Sequence, residues 1–114
     1  MANMIVTVQN YGFYDAAIGT YVYEGIFLYN TEWNGKPSYY FDSHGYEGQT
    51  EILWQSGKWW LVLDDNLRYE SYDDTPTPDL ATWVGCTVTL EQSGTTHEGE
   101  ATLSSLSYLR TKKA

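Results

Sequence analysis

The sequence predicts an all-β fold, a small antiparallel sandwich or barrel of about seven short strands. Aromatic residues make up 17% of the chain, and they fall with β-branched residues in short runs, as in strands. Gly-containing turns separate these runs. The 114 residues suit one domain that buries a core without a disulfide or a metal. Cys86 is the single cysteine, so no internal disulfide forms, and its apolar neighbours predict a buried thiol.

The first strands are expected before residue 31. Met4–Val8 is short, apolar and β-branched, which predicts a strand, and Asn10-Tyr11-Gly12 ends it. Residues 20–30 form a longer run of aromatic and β-branched residues. Gly25 lies in the middle of that run and predicts a bulge or a bend.

Two tight hairpins are expected in the centre of the chain. Asn34-Gly35 suits a type I′ turn, because both central residues of that turn need a positive φ. Ser56-Gly57 is the second turn of this kind. Pro37 has no N–H for a ladder, so its strand should begin there or lie at an edge. The strands that these turns join are predicted at residues 37–41, 51–54 and 58–63.

The remaining third of the chain is less regular. Residues 67–72 alternate like a half-exposed strand, and two prolines in residues 73–79 exclude regular structure there. A further strand is predicted over residues 81–90. The segment 100–114 allows two interpretations. Leucines every third residue, followed by basic residues, suit the end of a helix, whereas a last strand pairing back across Ser93-Gly94 suits the all-β remainder.

The charge distribution argues against two classes of partner. The net charge is −9, and all fifteen acidic residues lie between Asp15 and Glu100. An acidic body repels phosphate backbones and anionic lipid, so neither nucleic acid nor a membrane is expected as a partner. Three of the six basic residues, Arg110, Lys112 and Lys113, lie in the last five positions. This basic end is predicted to contact an acidic neighbour, such as another copy of the chain.

The beginning of the sequence indicates where the protein is made. Met1-Ala2-Asn3-Met4 lacks the basic start and apolar stretch of a signal peptide. No window reaches the roughly 18 apolar residues that span a bilayer. The chain is therefore expected to fold in a cytoplasm, although it can still leave the cell as part of a released particle.

Neither catalysis nor a cofactor is predicted. His44 and His97 are the only histidines, and both lie in polar loops without a nucleophile elbow or an oxyanion hole nearby in sequence. Carboxylates crowd residues 64–79 and could supply oxygen ligands for calcium, but their spacing is not that of an EF-hand. A solvated acidic loop explains them equally, so no metal site is predicted.

The aromatic residues are the best candidates for function, because they outnumber what one small core needs. Adjacent pairs such as Trp59-Trp60 and Tyr39-Tyr40 point to opposite faces of a sheet. One member of each pair should enter the core and the other should lie on the second face. Exposed aromatic rings with a polar rim suit a protein interface or a sugar. The predicted binding residues, for protein or glycan, are Trp33, Tyr39, Trp54, Trp59, Trp60 and Tyr72.

Four features in order, over residues 19–83, resemble a known module. They are the entry Gly19-Thr20-Tyr21, the hairpin Asn34-Gly35-Lys36-Pro37-Ser38-Tyr39, the hairpin Trp54-Gln55-Ser56-Gly57-Lys58-Trp59-Trp60, and the segment Tyr69–Asp74 followed by Pro78 and Trp83. The stretch is similar to a small β module of virion proteins in tailed phages, found in tail, fibre and head-associated proteins. Similar units occur in tandem in large extracellular eukaryotic proteins.

The resemblance implies a non-enzymatic structural protein of the virion. Since the module fills most of this chain, a capsid decoration or other accessory protein is expected. Its partners would be other virion proteins or copies of itself, held by one aromatic face and by the basic end. The alternative is a carbohydrate-binding module for adhesion to host or mucosal glycans. The family's ligands are unknown, so no binding residue follows from the resemblance.

Overall fold

The computed structural model describes residues 1–44 and 48–92, and within them it confirms the all-β prediction. These residues form nine strands, one short 3₁₀ helix and no α-helix. The strands are β1 (Met4–Val8), β2 (Phe13–Asp15), β3 (Thr20–Val22), β4 (Glu24–Trp33), β5 (Lys36–Phe41), β6 (Glu51–Gln55), β7 (Lys58–Leu63), β8 (Asn66–Ser71) and β9 (Cys86–Leu90), and the 3₁₀ helix is Pro78–Leu80.

Seven strands form one curled antiparallel sheet in the order β8-β7-β6-β5-β4-β1-β9. Strands β4 to β8 follow one another as a meander. The first strand breaks this order, because β1 lies between β4 and β9, with Met4 opposite both Phe27 and Leu90. Strands β2 and β3 pair separately as a two-stranded sheet.

Three two-residue turns connect the meander, and two of them were predicted. Asn34 and Gly35 have φ of 54° and 83°, and Ser56-Gly57 has the same left-handed pair, which confirms both hairpins. The third turn, Asp64-Asp65, has φ of 53° and 70° without a glycine. Aspartate tolerates this region better than most residues because its short side chain bonds locally. A longer-range bond also holds this turn, since Asp65 Oδ1 accepts a hydrogen bond from the Gln49 N–H at 2.8 Å.

The core lies on the inner face of the sheet, where alternate residues of the strands are buried. Phe13 of β2 packs across this face, with ring centroids 4.9 Å from Phe41 and 5.6 Å from Phe27. Gly25 makes the packing possible, because a Cβ there would lie 2.8 Å from the Phe41 ring. The buried cluster comprises Met4, Val6, Val8, Phe13, Phe27, Tyr39, Phe41, Ile52, Trp59, Leu61, Leu63, Tyr69, Cys86 and Val88.

Residues 72–85 close the other part of the inner face without joining the sheet, and the prolines predicted this for residues 73–79; the one regular element is the 3₁₀ helix Pro78–Leu80. The indole N–H of Trp59 donates to Thr75 Oγ1 at 3.0 Å, and that of Trp83 donates to the Pro78 carbonyl at 2.8 Å. Lys36 Nζ lies 2.7 Å from Asp74 Oδ1. Hydrogen bonds and an ion pair made by side chains thus hold a segment that does not join a ladder.

Several predicted boundaries were wrong. The irregularity expected at Gly25 lies elsewhere, because the chain bends at Tyr23 and the register shifts between Tyr29 and Glu32. The strand predicted from residue 81 begins at Cys86, after Gly85 with φ of 84°. Strand β2 was not predicted, since three residues give no measurable alternation.

Two other expectations have clear outcomes, and a third is not tested. Pro37 is the second residue of β5, so its strand begins as predicted, although β5 lies inside the sheet. Cys86 is buried, and that burial raises the pKa of its thiol to about 12. The ambiguous segment 100–114, with Arg110, Lys112 and Lys113, lies outside the described residues, so its conformation stays a prediction.

Candidate functional site

The outer face of the sheet carries the first candidate site. Residues that alternate with the core point to this face, and many of them are apolar but only partly buried. A groove of about 590 Å³ crosses it. We call this the outer groove. It is lined by Asn30, Thr31, Trp33, Ser38, Glu51, Leu53, Gln55, Trp60, Val62, Asp65 and Leu67.

The two hairpin ends position the tryptophans of the outer groove. The Trp60 indole N–H donates to the Gln55 carbonyl at 2.7 Å, and the Trp33 indole N–H reaches Gln55 Oε1 at 3.4 Å. Asn34 Nδ2 also donates to the Trp54 carbonyl at 3.0 Å, which joins the first hairpin to the second. The hydrogen bonds to Gln55 therefore orient the Trp33 and Trp60 rings in the absence of a partner, although 49% of the Trp33 surface remains exposed.

The outer groove is negatively charged. Burial raises the pKa of Glu51, and the neighbouring Asp65 carboxylate raises it further, whereas His44 lowers it. The ionised form of Glu51 is thus disfavoured in the folded protein. A carboxylate kept in such a place at a cost in stability is typical of binding sites. A basic partner group would compensate this charge.

A β-bulge shapes the wall of the outer groove. The register between β4 and β5 shifts between Tyr29 and Glu32. The Ser38 hydroxyl donates to the Thr31 carbonyl at 2.7 Å across this irregularity. Bulges re-aim side chains and end pairing locally, and here Thr31 and Trp33 beyond it line the groove.

The structure brings three of the six predicted aromatic residues to this side. Trp33 and Trp60 line the outer groove. Tyr72 is 69% exposed, and Lys58 Nζ lies 5.3 Å from the ring centroids of both Trp60 and Tyr72. These three form a discontinuous aromatic surface bridged by one cation.

The other three predicted residues belong to the inner side. Tyr39 and Trp59 are 1% and 0% exposed, so a direct contact with a partner is ruled out for them in this fold. Trp54 packs against the core under Lys36, whose Nζ lies 4.6 Å from its ring. Alternation along a strand predicted that one residue of each adjacent aromatic pair lies in the core, but it did not predict which one. In both pairs it is the first, Tyr39 and Trp59.

Sequence reasoning missed a second concave site on the molecule. A cleft of about 430 Å³ lies where the β1–β2 loop meets the turn before β8. We call this the tyrosine cleft. It is lined by Asn10, Tyr11, Gly12, Tyr21, Tyr23, Leu63, Asp64, Asn66 and Arg68. One signal was present in the sequence, since Tyr21 and Tyr23 are two residues apart and therefore share one side of an extended segment.

Most of the acidic residues of the 64–79 region have structural partners, although the buried Asp79 Oδ1 has no hydrogen-bond partner among the described residues. Asp64 accepts from the Tyr14 N–H at 3.2 Å, and Asp73 accepts from the Thr82 N–H at 2.7 Å. Glu70 pairs with Lys58. Within residues 1–44 and 48–92, no three His, Cys, Asp or Glu side chains are grouped so that they could hold a metal ion.

Comparison with known proteins adds no relative. No family model, no curated protein and no solved structure matches this chain. The likeness to the phage virion module therefore stays a prediction from its motifs. In the part of the chain that the structure describes, no helix has the length and hydrophobicity needed to cross a bilayer.

Proposed function

We propose that this protein is a non-enzymatic structural accessory protein that binds neighbouring subunits of a larger assembly. A tailed-phage virion is the assembly that the sequence motifs suggest, and capsid decoration is the role. The contact surface is the outer groove together with Tyr72. The observation that supports this most is that Trp33 and Trp60 both line the outer groove and are both held by hydrogen bonds to Gln55.

The composition of the outer groove resembles that of protein interfaces. Tryptophan is enriched among the residues that dominate binding energy, and such residues sit in oriented, largely desolvated positions. Leu53, Trp60 and Val62 supply the apolar floor, and Gln55 at the rim fixes the rings. Exposed apolar side chains rimmed by polar residues, as here, often mark a contact site.

Charge complementarity suggests which partner fits first. The outer groove holds Glu51 and Asp65, whereas the chain itself ends in a basic segment with Arg110, Lys112 and Lys113. Leucines recur just before these basic residues. One copy thus carries both an acidic, apolar surface and a basic, apolar segment. A head-to-tail contact between copies uses both, and such contacts build rings or lattices.

Sedimentation velocity of the purified chain over a range of concentrations tests the proposal. We expect reversible self-association that weakens as salt rises, because the charged part of the contact is screened. Trp60→Ala should weaken the association constant by roughly thirtyfold, the loss typical of a central aromatic residue in an interface. The double variant Lys112→Glu, Lys113→Glu should weaken it as well.

Val84→Ala is the matched control, because Val84 is 84% exposed and apolar but lies in neither concave site. It should associate like the parent chain. A chain that stays monomeric to about 1 mM, the range of weak contacts, would contradict association between copies. So would Trp60→Ala and the charge reversal both leaving the constant unchanged.

Glycan binding in the outer groove is the second candidate. The half-exposed Trp33 favours it, because its ring stands beside hydrogen-bonding side chains, Gln55 and Asn30. Titration with host polysaccharides and mucin glycans, followed by tryptophan fluorescence, tests it. Saturable quenching that is lost in Trp33→Ala would support a sugar site there. An unchanged spectrum across the panel would reject it.

A further inference from the structure

The tyrosine cleft has the features of a built binding site. Tyr11, Tyr21 and Tyr23 are 47%, 53% and 52% exposed, so three large rings face solvent around one concavity. Polar side chains from other parts of the chain, Asn66 and Arg68, complete its lining. Aromatic walls with a few oriented polar groups are the usual composition of a ligand pocket.

Hydrogen bonds fix the wall formed by the β1–β2 loop. The buried Tyr69 hydroxyl oxygen accepts from the backbone N–H groups of both Asn10 and Tyr11, at 3.0 and 3.3 Å. The edge of the Tyr69 ring also packs against the Tyr11 ring, with centroids 6.3 Å apart. The loop is therefore held in place without a ligand, which lowers the entropy cost of binding.

The other wall of the tyrosine cleft, formed by Tyr21 and Tyr23, is held by close packing. A Cβ at Gly12 would lie 2.9 Å from the Val22 carbonyl oxygen and 3.2 Å from the Tyr23 ring. The Tyr23 ring therefore packs directly against the backbone of Gly12, where a larger residue would leave too little space. The Tyr21 ring is held in turn by an edge contact to Tyr14, with centroids 5.4 Å apart.

Arg68 gives the tyrosine cleft its chemical character. Three basic side chains lie within residues 1–44 and 48–92, and two of them, Lys36 and Lys58, are paired with carboxylates. Arg68 makes no such pair among these residues. Instead its guanidinium carbon lies 4.3 Å from the centroid of the Tyr11 ring. Stacking on a ring leaves the N–H groups of an arginine free to bind a carboxylate in two-point fashion.

We propose that the tyrosine cleft binds a saccharide that carries a carboxylate, with Arg68 on the carboxylate and the exposed tyrosines against the sugar ring. Aromatic faces with a polar tip suit a ligand that is apolar on one side and hydroxylated on its edge. Asp64, the one carboxylate of the lining, already accepts from the Tyr14 N–H. Charges farther than about 8 Å from the bound ligand are largely screened by salt at physiological ionic strength.

This site is separate from the outer groove, since the two share no lining residue. The inference therefore does not depend on the assembly role. Failure of one leaves the other standing, because Trp60→Ala tests the groove and Arg68→Gln tests the cleft. Sedimentation of Arg68→Gln should match that of the parent chain.

The test is a titration of the ¹⁵N-labelled full chain with matched sugars, followed by amide chemical shifts. The acidic probes are sialyllactose and trigalacturonic acid, and lactose is the neutral control. We expect saturable shifts at residues 10–12, 21–23 and 66–68 with at least one acidic probe, at a dissociation constant of about 1 mM or below. Lactose should cause none. Shifts that lactose matches, or no shifts with either acidic probe, would overturn the proposal.

Variants localise the effect. Arg68→Gln should weaken binding by roughly tenfold or more, and Arg68→Lys should recover only part of it, because lysine keeps the charge but not the planar fork. Tyr21→Ala and Tyr23→Ala should weaken binding too, and Val84→Ala should not. The three substituted cleft side chains, Arg68, Tyr21 and Tyr23, are exposed, so the variants should fold, which thermal unfolding checks. Undiminished binding in Arg68→Gln would refute the role of the guanidinium.

Discussion

The two faces of the seven-stranded sheet are formed by the same strands, but they differ in how far their side chains are buried. On the inner face, Trp59 and Tyr39 are buried, and Trp59 bonds to Thr75 in the segment 72–85. On the outer face, Trp60 and Tyr40, one position later, are only partly covered. One step along a strand therefore separates a residue that holds the fold from one available for contact. Neighbouring residues of the same type can be substituted to measure this difference directly.

The largest effect is expected from the tryptophan pair. Trp59→Ala removes a fully buried ring and its hydrogen bond to Thr75, and we expect a loss of about 3–5 kcal/mol in the free energy of unfolding. Trp60→Ala removes a half-buried ring and should cost about 1–2 kcal/mol. Urea denaturation measures both. Equal losses would show that the outer face is buried in the isolated protein as well.

A smaller contrast is expected between two buried tyrosines. The Tyr69 hydroxyl accepts two backbone N–H groups, so Tyr69→Phe leaves them without this partner and should cost about 1–3 kcal/mol. The Tyr39 hydroxyl is buried without a hydrogen-bond partner among the described residues. Tyr39→Phe should therefore be neutral or slightly stabilising. A loss in Tyr39→Phe as large as in Tyr69→Phe would reveal a partner for that hydroxyl.

The stability of the protein at alkaline pH should report on the burial of Tyr39 on the inner face. Burial, helped by Asp79 and Tyr29, raises the pKa of Tyr39 from 10.0 to about 12. Between these values the unfolded chain loses the proton and the folded chain keeps it. Stability then falls as pH rises from 10 toward 12, by at most about 1.4 kcal/mol per pH unit. Tyr39→Phe should lose this share of the slope, and identical slopes for the two proteins would refute the assignment.

The smallest expected effect lies on the outer face, at Glu51. Its pKa is raised by burial and by Asp65, so the ionised carboxylate destabilises the fold above its unfolded pKa of 4.5. Glu51→Gln should therefore raise stability at pH 7 by less than about 1 kcal/mol. The gain should vanish below pH 4, where both states are protonated. Thermal unfolding at the two pH values checks this, and a destabilised variant at pH 7 would show that the carboxylate has a favourable partner.

Local signals explain which parts of the fold could be predicted. Asn34-Gly35 and Ser56-Gly57 specify their turns through backbone sterics, so both hairpins followed from neighbouring residues alone. Strand β2 did not, because Phe13 pairs with Val22 and packs on Phe41 for reasons of tertiary structure. The composition of residues 81–85 predicted a strand. However, Gly85 and the hydrogen bond from Trp83 to Pro78 hold these residues outside the sheet.

The candidate sites divide in the same way. Alternation along a strand predicted that one residue of Trp59-Trp60 would face outward. Which of the two does so depends on which face of the sheet β2 covers. The tyrosine cleft could not be predicted, because it needs Tyr11, Tyr21 and Arg68 from three distant segments. Only the topology brings these side chains together.

The position of β1 in the sheet also determines the order of events during folding. Strands β4 to β8 pair with their sequence neighbours and can form through short loop closures. Strand β1 can pair with β4 on one side, but its other edge must wait for β9, since Met4 also pairs with Leu90, and closing such a long loop is slow. We expect the meander to form first and the β1–β9 ladder to close last. On the ribosome, an emerging chain would thus keep the edge of β1 unpaired until β9 has been made.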